Sequence, residues 1–175
     1  MPSQAMRDAI DALRDRQKAG AAALMSPTVD LTSSGASMTE RADQDPVSTP
    51  AMLAQFASDY LAGADPKTPL ASPLFAALAG LPPLLIQVGT ADLLLSDAER
   101  LAAAAAHAGV DVTLEIGEGL PHVYQLLLGT PEAAQATEQI GKFLRASTSE
   151  LRPPPADAAA GTPRENTPRE KEKGS

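Results

Sequence analysis

The apolar run Leu84–Val88, standing behind the pair Pro82-Pro83 and stopping at Gly89, constrains this chain more than any other stretch. Such a run, bounded by turn residues, marks a buried strand about five residues long. Gly89 to Leu95 then read as a turn carrying one acidic residue, Asp92. Ser96 with Glu99 three residues on forms a capping box, which predicts a helix from Ser96 to Ala108 that stops at Gly109. Strand, loop and helix follow in order, with a carboxylate in the loop. In open α/β sheets, ligands and chemistry collect in the loops at the carboxyl ends of strands, so Asp92 stands where a working acid would be.

The next segment, Val112–Ile116, alternates apolar and polar residues, the period of a strand with one wet face, which suits a sheet edge. Strand, helix and strand within roughly thirty residues make a βαβ unit, so the two strands are expected to be parallel with a right-handed crossover. Gly117–Leu128 is expected to be a loop holding His122, and Thr130-Pro131 to open a last helix with Ala133, Ala136, Ile140 and Leu144 inward, ending near Ala146.

Upstream, Ser3–Lys18 carries Met6, Ala9, Ile10 and Leu13 on one helical face, and Gly20 stops it. Ala21–Met25 reads as a short strand entering a loop at Ser26-Pro27. Val29–Pro50 has no periodicity and holds an Asp45-Pro46 turn. Thr49 and Pro50 open another helix as N-cap and first helical residue, with Leu53, Phe56, Ala57 and Tyr60 as its apolar stripe and Gly63 at its end. Asp65–Pro83 is irregular and punctuated by prolines. About sixty residues thus separate the first two strands, more than an ordinary crossover needs. Residues 33–80 are therefore expected to be a cap-like or substrate-facing insertion, with plain surface elaboration as the alternative.

A length of 175 residues with 43% hydrophobic content suffices for one domain with a core, taken here as residues 1–148. Residues 149–175 are Pro-rich and charged without apolar periodicity, and are expected to be a disordered tail. The tail repeats TPRE at Thr162 and Thr167. Its charges cancel, which leaves the net −8 on the rest of the chain; that sign argues against a nucleic-acid partner, whose phosphates need clustered Lys and Arg. The absence of cysteine removes disulfides, thiolate nucleophiles and thiolate metal sites. No apolar run reaches the ~20 residues that cross a bilayer, and no signal-peptide pattern opens the chain, so a soluble, cytoplasmic protein is expected.

Asp92 and His122 are the one pair expected to do chemistry. Both follow strands of one parallel unit, hence lie on one rim of the sheet, where an Asp can orient an imidazole. Each also has a plain reading, the Asp as a turn former and the His as a solvated side chain. Asp97 and His107 are accounted for by the dipole of the helix between the strands. Gly117 and Gly119 lack the rest of a dinucleotide fingerprint, and two histidines without HExxH spacing make no zinc site, so neither cofactor nor metal is expected.

With those two loops, the ordered stretches PPLLIQVGTADLLLSDA and AGVDVTLEIGEGLPHVY resemble the C-terminal half of α/β-hydrolases of the hormone-sensitive-lipase type, the alpha/beta hydrolase fold 3 carboxylesterases. SPTVDLT at Ser26–Thr32, Asp45-Pro46, YLAGADPKTPLASPL at Tyr60–Leu74 and the final helix fall in the same order, so the likeness covers nearly all of Ala5–Arg145. It implies a partial α/β-hydrolase fold of about three parallel strands with flanking helices. It also implies a serine carboxylesterase or lipase acting on small-molecule or lipid esters, with Asp92 as the acid and His122 as the base of a Ser, Asp, His triad. Such enzymes carry the nucleophile in a G-x-S-x-G elbow and the oxyanion donors in an HGGG-type loop, and neither motif occurs in these 175 residues. Ser34, Ser37 and Ser96 lack the glycine context of that elbow. The expectation is therefore a hydrolase by kinship that is inactive alone, or else a non-catalytic fragment or subunit whose first strand pairs with a partner chain completing the sheet.

Overall fold

The computed structural model describes residues 20–149. The helix expected over Ser3–Lys18 and the tail from residue 150 lie outside the described residues. Three strands, β1 (Ala22–Met25), β2 (Leu84–Ala91) and β3 (Val112–Pro121), form one parallel sheet in the order β1-β2-β3. The helices are α1 (Ser37–Glu40), α2 (Pro50–Leu61), α3 (Leu95–His107) and α4 (Pro131–Ser149), with 3₁₀ turns at Pro73–Phe75 and Tyr124–Leu126.

β2 is the central strand, and its first six residues are all buried because helices cover both of its faces. Leu84, Ile86 and Val88 point to one face and pack with Ala98, Leu101, Ala102 and Ala105 of α3; Val29, Leu78 and Val110 complete that core. Leu85 and Gln87 point to the opposite face, where Gln87 Nε2 donates to the carbonyl of Ala136 in α4. Full burial of side chains such as Ile86 and Val88 is worth about 1.5–3 kcal/mol each, so this layer carries much of the stability.

Local chemistry sets the ends of α2 as the sequence indicates. Thr49 Oγ1 accepts from Met52 N at 3.2 Å, Pro50 occupies the first turn, and Ala62 closes the helix in the left-handed region ahead of Gly63. Thr130 does the same for α4 by accepting from Ala133 N.

Several expectations are corrected. The capping box at Ser96 does not form: α3 begins at Leu95, Leu94 makes no side-chain cap, and the Ser96 hydroxyl instead accepts from the backbone N–H of Ser37. β2 and β3 run on to Ala91 and Pro121, so the first part of what reads as loop after each short strand belongs to the strand. On α2 only Ala57 is buried, while Phe56 and Tyr60 are 59% and 70% exposed. The segment 29–50 holds the single-turn α1, and α4 continues past Ala146 to Ser149. On β3 the alternation fails at Ile116, which is exposed.

Candidate active site

The two site residues sit side by side because of sheet register. Ala91 and Pro121 are partners at the end of the β2–β3 ladder, so Asp92 and His122 are each the next residue of adjacent parallel strands. To reach that alignment, β3 passes through Glu118–Leu120 while β2 uses Thr90 alone. The irregularity is stabilised by a hydrogen bond from Gly119 N to Thr90 Oγ1 at 2.7 Å, with Gly119 at φ 68°.

His122 Nδ1 lies 3.3 Å from each carboxylate oxygen of Asp92. Asp92 is fully buried, whereas the His122 side chain keeps 22% exposure. Since a carboxylate only accepts, Nδ1 carries the proton in this contact, which leaves Nε2 as the acceptor. The hydrogen bond that His122 donates to Asp92 raises the His122 pKa against the opposing effect of burial, and the charges of Asp92 and Asp45 add to the rise. At 3.3 Å the contact is longer than a tight charge-assisted bond.

The Asp92 turn is held on several sides. Leu94 N donates to Asp92 Oδ1 at 2.9 Å and Leu93 N to Asp45 Oδ2 at 3.1 Å. Ser37 Oγ donates to Leu93 O at 2.5 Å, and Ser37 and Ser96 exchange N–H to hydroxyl bonds at 3.0 Å in both directions. On the His122 side, Val123 N donates to Ser26 Oγ at 3.0 Å. Gln125 Nε2 reaches Gln87 Oε1 at 3.0 Å, and Gln87 Nε2 reaches Glu115 at 2.8 Å. None of Ser26, Asp45 and Gln87 was singled out from the sequence as part of the site. Their only sequence signals are a Ser-Pro, an Asp-Pro and a polar residue in an apolar strand, and none of these names its partner.

Of the serines considered for chemistry, Ser37 and Ser96 are bonded to each other and Ser34 Oγ donates to Asp30. Asp97 is not simply a charge facing a helix dipole. It is fully buried and accepts from Val29 N at 2.9 Å and Asp30 N at 3.0 Å, and burial raises its pKa despite those bonds. Next to it Asp30 accepts from Thr32, Ser34 and Arg100. Burial opposes ionisation of Asp30, but those bonds together outweigh it and bring its pKa to about 2. His107 lies exposed in the last turn of α3, as the dipole reading expects.

An apolar cavity of about 170 Å³ opens between α2 and the segment after β1, with Met38, Leu53, Phe56, Tyr60 and Leu94 in its wall. A second, of about 360 Å³, lies between β3 and α4, and neither Asp92 nor His122 lines it. Among the described residues no group of His, Cys, Asp and Glu could hold a metal ion, and no helix is long and apolar enough to cross a membrane.

Comparison with known proteins bears on the family and the fold of the chain. The model of a family described as alpha/beta hydrolase fold matches residues 5–126. An acetyl-hydrolase of Streptomyces hygroscopicus is 45% identical over 147 residues, which cover 81% of this chain and 48% of that protein. An esterase of Acinetobacter venetianus is 36% identical over 122 residues, covering 69% and 40%. Among solved structures, an esterase from the bacterial hormone-sensitive lipase family superposes with a TM-score of 0.73 at 43% identity, covering 78% of this chain and 47% of that one. The chain spans about half the length of these relatives.

Proposed function

The chain belongs to the alpha/beta hydrolase fold family, on its hormone-sensitive-lipase-like side, and from that premise we propose that Asp92 and His122 are the acid and base of a serine carboxylic ester hydrolase. The observation that carries the reading is the contact between His122 Nδ1 and both Asp92 oxygens at the ends of adjacent parallel strands.

The chemistry follows from the tautomer. With Nδ1–H held by Asp92, Nε2 accepts the proton of a serine hydroxyl as its oxygen attacks the ester carbonyl, and returns it to the departing alcohol. In the second half Nε2 takes a proton from water, whose oxygen attacks the acyl carbon, and gives it to the serine oxygen as the acyl bond breaks and the acid leaves. The buried Asp92 stabilises the imidazolium formed in each half, which is the same interaction that raises the His122 pKa. In this reading residues 33–80 line the substrate pocket, and the cavity bounded by Phe56, Tyr60 and Leu94 is its apolar wall.

The hydroxyl and the oxyanion donors must come from residues other than these, because no serine in the chain has glycine on both sides at the G-x-S-x-G spacing. The 175 residues alone therefore give no turnover. The test is hydrolysis of p-nitrophenyl butyrate by the purified chain, alone and mixed with a polypeptide carrying the upstream half of a family member. Activity only in the mixture, abolished by His122→Ala, is the expected result. Strong hydrolysis by the chain alone that His122→Ala abolishes overturns the claim of inactivity, and a mixture whose activity ignores His122→Ala overturns the assignment of the base.

A second reading has its own observation. β1 pairs with β2 along one edge, and among the described residues no strand covers the other, while Met25 at its end is 42% exposed. An open edge beside apolar surface is a template for another strand. A non-catalytic subunit that joins a partner there predicts a stable complex in the same mixing experiment without hydrolysis.

A further inference from the structure

The backbone N–H groups that follow Asp92 and His122 are both received by side chains from outside the two loops. Leu93 N donates to Asp45 Oδ2 at 3.1 Å, and Val123 N donates to Ser26 Oγ at 3.0 Å. Each bond fixes the peptide plane next to the site residue, and with it the direction in which that residue's side chain leaves the backbone.

We propose that Asp45 and Ser26 are positioning residues for the acid–base pair, Asp45 pinning the turn that carries Asp92 and Ser26 pinning the loop that carries His122. The inference rests on the reading of Asp92 and His122 given above.

Both anchors are themselves fixed. Asp45 uses Oδ1 to accept from Val47 N at 2.8 Å and Ser48 N at 3.0 Å, so its carboxylate is held by its own turn while Oδ2 reaches across to Leu93. Ser26 is buried, and its N–H donates to Gln87 O at 2.8 Å, which continues the β1–β2 ladder by one bond. Ser26 and Val123, the two ends of the second clamp, both stand at φ 46°, in the left-handed region that non-glycine residues occupy only where their surroundings hold them. Two strained residues joined by one part-buried hydrogen bond are what a loop fixed for a purpose looks like. Asp45 has a second effect, since its negative charge and that of Asp92 are the acidic charges acting on the His122 ring. Asparagine at position 45 keeps an oxygen acceptor for Leu93 and removes the charge, whereas alanine removes both.

The test uses the 175-residue chain in a His107→Gln background, so that one imidazole remains, and follows amide exchange and the imidazole titration by NMR. In Asp45→Ala, the Leu93 amide is expected to exchange at least about tenfold faster, because its acceptor is gone. In Asp45→Asn, that protection is expected to remain while the His122 midpoint moves down. Ser26→Gly suits the second clamp, because glycine adopts φ 46° freely while the hydroxymethyl group that carries the acceptor is removed. It is expected to speed exchange at Val123 by at least about tenfold and to lower the His122 midpoint as the Asp92 contact loosens. Unchanged exchange at Leu93 in Asp45→Ala and at Val123 in Ser26→Gly overturns the proposal, as does a His122 midpoint that neither Asp45→Asn nor Ser26→Gly moves. If Asp45→Ala does not fold, Asp45→Asn and Ser26→Gly decide alone. Because no ester enters these measurements, they stand even if the mixing experiment yields no hydrolysis, and they can fail while that experiment succeeds.

Discussion

A Cβ placed on Gly89 would lie 1.8 Å from the carbonyl oxygen of Leu120. The backbone of β3 thus leans onto β2 at contact distance, two residues before His122, and only glycine leaves room for it. The clash would be with backbone, which cannot rotate away as a side chain does. Gly89→Ala is expected to destabilise the chain by about 3 kcal/mol, the upper range for overpacking, with chemical-shift changes centred on Leu120–Val123. A urea midpoint equal to that of the native chain would show that the close approach does not exist.

The raised pKa of His122 makes the Asp92 contact pH-dependent. A group whose folded pKa is raised contributes stability that is complete below its unfolded value, about 6.5, and is lost as pH rises through the folded value. The stability gap between the native chain and Asp92→Asn is therefore expected to be larger at low than at high pH across that window. Urea unfolding of both proteins on either side of the window measures it, and a gap independent of pH contradicts the contact.

Asp30 has the opposite sign. Its pKa falls from 3.8 to about 2, so its contribution is present above the higher value and lost as pH drops through the lower one. That shift corresponds to about 2 kcal/mol at neutral pH. Asp30→Asn is expected to remove it at pH 7 and to make little difference near pH 2, as read by urea unfolding across that range.

Asp97 separates hydrogen bonding from charge. Leucine there leaves the N–H groups of Val29 and Asp30 without their acceptor inside the protein, a loss of roughly 3 kcal/mol. Asparagine keeps an acceptor and removes repulsion with Asp30, so Asp97→Asn is expected to stay within about 1 kcal/mol of the native chain. Thermal unfolding of the two variants checks the order; a purely electrostatic role for Asp97 would make them equal, because both side chains are uncharged.

Thr49→Ala is a smaller change of known kind. Losing the hydroxyl that caps Met52 N is expected to cost about 1 kcal/mol, while Thr49→Ser restores most of it. Urea midpoints of the two variants measure both effects.

Much of this protein is written in patterns that act over a few residues. Prolines and glycines, the apolar run of β2 and the helical spacing of α3 and α4 fix which elements form and that β2 and β3 run parallel, because strand period and turn chemistry are local properties. The same patterns place Asp92 and His122 after neighbouring strands. The start of α3 is set by a contact outside that range. Ser96 has the spacing of a cap, but its hydroxyl is taken by Ser37, 59 residues away. The apolar stripe of α2 misled similarly, since periodicity gives a helix an apolar side without saying what covers it; here Phe56 and Tyr60 are left open.

What the sequence by itself determined is the strand-loop-helix-strand unit and the placing of Asp92 and His122 just after its two strands. Tertiary structure alone decided the 3.3 Å approach of His122 to Asp92, because that depends on three residues of β3 being spent against one of β2 and on two loops being tied from elsewhere. Asp45 lies 48 residues from Leu93 and Ser26 lies 97 from Val123, and hydrogen bonds across such separations exist only once the chain has closed on itself.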